Sequence, residues 1–135
     1  THIPKMLERS RCALPIHITP LLLKDSLEFT EEDLQKIENT CISSSAKAIV
    51  ITHGTDTMTE TAKRLAKLKL EKTILLTGAM IPYAFGSSSD GFFNLGCALA
   101  FSQTLSHNVY ITMQGQYFKW NEVKKNKALG LFEKI

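Results

Sequence analysis

The chain has 135 residues, of which 44% are hydrophobic and 21% charged, with a net charge of +3, the size and balance of one globular domain with a real core. Its 16 lysines and arginines are spread along the chain, so nothing points to nucleic acid as a partner. No apolar run approaches the ~18 residues needed to span a bilayer and no signal peptide is visible, which leaves no membrane partner.

The elements follow in chain order. Residues 3–12 can form a helix with Ile3, Met6 and Leu7 as apolar positions. The stretch LPIHIT, 14–19, reads as a short strand bounded by prolines, and LLLKDSLEF as a loop. TEEDLQKIENTC is a helix: Thr30 caps it, Glu31 and Glu32 favour the positive end of its dipole, and Leu34, Ile37 and Cys41 share one face. The run AIVIT, 48–52, is continuously apolar, the pattern of a strand covered on both faces. Residues 57–69 form the next helix, with Thr57 and Glu60 at capping-box spacing. A second buried strand, TILLTG at 73–78, leads into a serine- and glycine-rich loop running from Ala79 to about Ser89. Asp90 then caps a helix reaching about Thr104, the strand NVYITM spans 108–113, and the tail is mixed and carries a lysine cluster.

Strands and helices alternate about four times, which predicts βαβ units, a mainly parallel sheet and a three-layer α/β/α sandwich of the Rossmann or flavodoxin-like kind. Ligands of such folds bind beyond the carboxyl ends of the strands. Thr55 and Asp56, in HGTDT, stand at such an end and also at the start of a helix, where backbone N–H groups favour negative charge. There is no GxGxxG and no phosphate-binding glycine loop, so no nucleotide cofactor is expected. Thr57 is explained by capping, His53 reads as a packed or hydrogen-bonded histidine, and Lys125 alone would read as a solvated surface lysine. The three cysteines, Cys12, Cys41 and Cys97, are too widely spaced for a metal knuckle, and two lie on apolar helix stripes. They read as reduced core cysteines of a cytoplasmic protein, and no metal is expected.

Four motifs carry a resemblance. ITHGTDTMTETA is similar to the HGTDTMEETA signature of the bacterial-type L-asparaginases. LLTGAMIP followed by SSSDGFFNLGCALA resembles that family's TGAMRP-like strand end and its SDGPxNL helix start. LLKDSLEFTEEDL resembles the segment that supplies its substrate-binding serine, and NEVKKNKA resembles its RDVTKTNT stretch, which carries the catalytic lysine. The motifs come in the family's order and cover nearly the whole chain.

The resemblance implies the family's N-terminal α/β domain over residues 1–135 and an amidohydrolase acting on L-asparagine or a similar amide. Thr55 matches a threonine of the catalytic triad, Asp56 the aspartate that binds the substrate's α-amino group, and Lys125 the lysine that activates the threonine. Ser26, with Asp25 beside it, matches the serine that holds the α-carboxylate. Gly54 and Ala79 match positions that present backbone groups to the ligand. The chemistry is consistent: a threonine hydroxyl is a poor nucleophile until a base takes its proton, and a lysine can be that base. The implied partners are a small amino-acid amide and further copies of the chain, as a homodimer or homotetramer.

The sequence departs from the family in three ways. Leu27 stands where the family often has a polar residue, which weakens the expected grip on a carboxylate. The family begins with a strand and a TGGTI-type turn, whose threonine is the primary nucleophile, followed by a mobile lid. This chain opens at Thr1 without a methionine and has no such string, so that strand and lid are expected upstream of Thr1. The smaller C-terminal domain of the family is also expected to be missing. Two other readings stay open: an inactive domain that binds an amino acid or regulates a partner, and an amidase acting on larger amides through a more open site.

Overall fold

The computed structural model describes residues 3–22, 26–81 and 89–135. Four helices, α1 (Ile3–Ser10), α2 (Glu31–Ser43), α3 (Met58–Lys67) and α4 (Gly91–Ser102), accompany six strands, β1 (Ala48–Thr52), β2 (Thr73–Thr77), β3 (Asn108–Met113), β4 (Gln116–Lys119), β5 (Val123–Asn126) and β6 (Leu131–Lys134). A single 3-10 turn, Ser26–Glu28, precedes α2.

Among the described residues one sheet has the order β1-β2-β3-β4 and a second is the hairpin β5-β6. The first three strands are parallel, with Thr52 opposite Thr77 and Leu76 opposite Ile111, whereas β4 returns antiparallel to β3 with Phe118 opposite Ile111. A mainly parallel sheet with helices on both faces is the expected α/β/α architecture.

Strand period two sorts the side chains between the faces. Ile74, Leu76, Val109, Ile111, Met113 and Phe118 share a core with Met58, Ala62 and Leu65 of α3, with Ile37 and Cys41 of α2 behind it, and with Val123 and Phe132 of the hairpin. On the other face, Leu75 and Tyr110 are buried with Leu95 and Ala98 of α4, and Phe101 of α4 meets Tyr117 edge-on at 5.1 Å. Thus α3 and α4 lie on opposite faces, although the strands they connect step in one direction. Two crossovers of that kind have opposite hands, so one of them is left-handed, an arrangement found in only about 2% of such connections. Both helices nevertheless start at the carboxyl rim of the sheet.

The caps divide the expectations. At α2, Thr30 Oγ1 accepts from Asp33 N at 3.2 Å while the Asp33 carboxylate accepts from Thr30 N at 2.9 Å, a reciprocal capping box. The far end of α2 is closed by Lys72, whose buried ammonium donates to the carbonyls of Cys41, Ile42 and Ser44. Arg64 of α3 ties the helices together by forking onto Glu31 at 2.7 and 2.9 Å.

Four expectations are corrected. Residues 14–19 are not a strand: prolines flank the run, and no neighbouring strand pairs with it among the described residues. The run 48–52 is a strand but not covered on both faces; Ala48 and Thr52 are exposed and the three between them half-buried, because β1 is an edge of the described sheet. Thr57 occupies the N-cap of α3 without a side-chain capping bond, and Asp90 occupies that of α4 likewise. The serine- and glycine-rich loop expected from Ala79 to Ser89 lies largely outside the described residues.

Candidate active site

The strand ends β1 and β2 lie side by side, and His53 N extends their ladder by donating to Thr77 O at 2.8 Å. The backbones meet so closely that a Cβ on Gly78 would stand 2.2 Å from His53 O. Residues 53–57 then cross the carboxyl rim and enter α3. His53 itself is buried, 8% exposed. Its Nδ1 is 2.7 Å from Gly54 O and its Nε2 2.8 Å from Thr61 Oγ1. A carbonyl can only accept, so Nδ1 carries the proton and Nε2 accepts from the threonine hydroxyl. Burial pushes the imidazole below its ordinary value, more than the Gly54 bond raises it. His53 is thus a neutral brace that fixes the backbone leading to Thr55.

Phe29 packs edge-on against His53 at 5.3 Å and 84°, which brings the 3-10 turn to the same rim. Ser26 there is buried, and its Oγ has no hydrogen-bond partner among the described residues. A Cβ on Gly54 would stand 2.6 Å from that oxygen, so only glycine lets Ser26 seat there. Asp25 lies outside the described residues.

Lys125 arrives from β5. Its Nζ lies 2.8 Å from Thr55 Oγ1 and 2.8 Å from Asp56 Oδ1. The lysine side chain is 14% exposed and the Asp56 side chain 42%. The hydrogen bond from Lys125 holds the Asp56 carboxyl below the ordinary aspartate range, with the charges of Lys125 and Lys127 adding to it against a smaller opposing effect of burial. Strand alternation turns Lys124 the other way, where it is exposed and 3.6 Å from Glu133. Lys125, not Lys124, is therefore the β5 lysine that reaches the rim and bonds Thr55 and Asp56.

Ala79 begins the turn after β2. Asp90 and Asn94, both on or beside the first turn of α4, hold this turn. The Asp90 carboxylate accepts from Met80 N at 3.1 Å and Ile81 N at 3.0 Å. Asn94 Nδ2 donates to Gly78 O at 2.8 Å and to Asp90 Oδ2 at 3.1 Å. Asp90 is thus spent on the turn rather than on capping its helix. Sequence reading missed Asn94. The signal was present: a lone amide in the apolar string GFFNLGCALA, four residues after Asp90 and so on the same helix face.

The model of the asparaginase N-terminal domain matches residues 2–132. The chain belongs to the asparaginase family. Among relatives of this asparaginase-family chain, L-asparaginase 1 of Escherichia coli is 35% identical over 117 residues, covering 83% of this chain and 34% of the relative. A glutaminase-asparaginase of Pseudomonas aeruginosa is 36% identical over 108 residues, covering 74% of this chain and 30% of the relative. The crystal structure of L-asparaginase I from Vibrio cholerae superimposes with a TM-score of 0.81 at 29% identity, over 98% of this chain and 42% of that one. The chain spans about a third of the length of these two curated relatives.

Proposed function

We propose that the protein is an amidohydrolase of the L-asparaginase/glutaminase class that hydrolyses the side-chain amide of L-asparagine to L-aspartate and ammonia through a threonine nucleophile. The observation that carries this reading is the single amine of Lys125 set at 2.8 Å from both the hydroxyl of Thr55 and the carboxylate of Asp56. Membership of the asparaginase family and the relatives named asparaginase and glutaminase-asparaginase support the choice of substrate class.

In this reading the amine of Lys125 acts as general base and takes the proton of Thr55 Oγ1, and the oxygen attacks the amide carbon. Among the described threonines it is the one whose hydroxyl meets a lysine amine. The oxyanion forms at the carboxyl rim of the sheet, within reach of the backbone around Gly54 and Ala79. As the C–N bond breaks, Lys125 returns the proton to the leaving nitrogen, and ammonia departs. Water then attacks the threonine ester, giving its proton to Lys125 and from there to Thr55, which restores the hydroxyl. The partly exposed carboxylate of Asp56 holds the substrate's α-ammonium. Ser26 Oγ, buried and without a partner among the described residues, donates to the α-carboxylate, and Asp25, its neighbour in the sequence, is assigned to substrate binding with it.

We treat residues 1–135 as one catalytic-type domain that works as a homodimer or homotetramer in the cytoplasm. Three unpaired cysteines support a reducing compartment, and no helix of the described residues is long and apolar enough to cross a membrane. The test is ammonia release from L-asparagine, L-glutamine, D-asparagine and short peptide amides. Release from L-asparagine is the expected result; no release from any amide by a folded sample would overturn the reading.

A further inference from the structure

We infer that Gln114 is a positioning residue for Lys125: its carboxamide docks the β5-β6 hairpin onto the main sheet and so sets the lysine against Thr55 and Asp56. The inference rests on the catalytic reading of Lys125 for its effect on turnover, but not for its effect on the geometry.

Among the described residues the hairpin is a sheet of its own, sharing no ladder with the four-stranded sheet. Val123 and Phe132 bury it against the core, but apolar burial is non-directional and leaves a hairpin free to slide or rotate. Directional ties must come from hydrogen bonds. Phe132 N donates to Gln114 Oε1 at 2.9 Å, and Gln114 Nε2 donates to Phe132 O. One carboxamide thus imitates a strand neighbour, taking both backbone groups of one residue. Phe132 is the residue directly opposite Lys125 in the hairpin. Because its N–H and C=O both turn to Gln114, they face away from β5, and the docking point sits across the ladder from the lysine.

The other end of the tie is equally fixed. Gln114 and Gly115 form the two-residue turn between β3 and β4, with φ of 51° and 81°, as a primed hairpin turn requires. A long side chain in this left-handed region is unfavourable, and Gln is not among the residues usual there. Asn94 Oδ1 accepts from Gln114 N at 3.0 Å, and Asn94 Nδ2 donates to Gly78 O. The same buried amide therefore braces the turn that begins at Ala79 and the residue that docks the hairpin. A continuous set of hydrogen bonds runs from the rim at Gly78, through Asn94 and Gln114, to the partner of Lys125.

Gln114→Gly keeps the backbone N–H and suits the positive φ, so it removes the carboxamide without straining the turn. Gln114→Glu keeps the acceptor for Phe132 N and replaces the donor to Phe132 O. Two readouts are taken with L-asparagine as substrate and with cyanate as a probe of the Lys125 amine, located by mass spectrometry. For Gln114→Gly the expected results are a fall of about 10²-fold in kcat with little change in KM, the scale of a misplacement near 1 Å. They also include an increase of about ten-fold in carbamylation of Lys125, an amine no longer held by Thr55 and Asp56, with Lys124 unchanged. Gln114→Glu is expected to lie between. Should Gln114→Gly fail to fold, Gln114→Glu decides alone. Wild-type kcat together with wild-type protection of Lys125 in the folded variant would overturn the inference. If the wild-type protein hydrolyses no amide, the proposed function falls, while the carbamylation of Lys125 still decides whether Gln114 positions it.

Discussion

Lys125 and Thr55 are 70 positions apart in the chain and 2.8 Å apart in space. Two unrelated pieces of local structure produce that meeting. Thr55 sits where β1 passes into α3, braced from behind by His53. Lys125 sits on a hairpin whose register alternates its lysines between solvent and rim. The amine also touches Asp56, so the acid, the amine and the hydroxyl form one charge-coupled group.

Acid should dismantle this group in two stages. The folded-state value of His53 is lowered by burial, so its contribution is present above the unfolded imidazole value near 6.5 and is lost as pH falls from there. The folded-state value of Asp56 is also lowered, by Lys125 first. Its contribution is present above about pH 4 and lost as pH falls through the folded value. Urea unfolding from pH 8 to pH 3 should show a decline beginning near pH 6.5 in both wild type and Asp56→Asn. Below about pH 4 both should lose further stability, because Arg64 likewise holds the Glu31 carboxyl below its ordinary value, but the wild type should lose more. Parallel curves over the whole range would remove the ion pair from the account.

The two rim glycines should behave differently when changed to alanine. At Gly78 the new Cβ meets a backbone oxygen at 2.2 Å, which cannot yield without parting β1 from β2. A loss of about 2–3 kcal/mol in denaturant unfolding is expected. At Gly54 the new Cβ meets Ser26 Oγ at 2.6 Å, and a side-chain end can move. Stability should change by less than about 1 kcal/mol, while KM for L-asparagine rises because the serine is pushed from its seat. Equal stability losses at the two sites would contradict the distinction.

Lys72→Met removes the ammonium that closes α2 and leaves the carbonyls of Cys41, Ile42 and Ser44 short of a donor. The expected cost is about 1–3 kcal/mol, read as a lower urea midpoint with an unchanged slope. Activity per folded molecule should not change, because Lys72 lies at the amino end of β2, away from the carboxyl rim.

The long periodic elements were legible in the sequence. The apolar runs of β1, β2 and β3 and the stripes of α2 and α3 are where their patterns put them, and Thr30 caps α2. What failed depended on partners that spacing does not reveal. Ile16 and Ile18 alternate like a strand, but a strand needs a neighbour to bond. Thr57 and Glu60 have the spacing of a capping box, yet the α3 N-cap lacks the side-chain bond. Asp90 stands at a helix start, but two amides of the preceding turn take its carboxylate. In the tail, β4, β5 and β6 have four residues each, too few for a period to show against their charges. Gly115 and Gly130, both at positive φ, were the available markers of its two turns. Lys125 was found by resemblance, whereas Gln114 was not, because a side chain that serves a distant backbone leaves no pattern of its own.

The central claim is that Thr55 and Lys125 act as one unit, and a double-mutant cycle on kcat tests it most directly. Thr55→Val and Lys125→Met are each expected to lower kcat for L-asparagine by about 10³-fold or more, and the double variant should fall no further than the worse single one. Wild-type kcat in either single variant, or losses that simply multiply in the double variant, would contradict it.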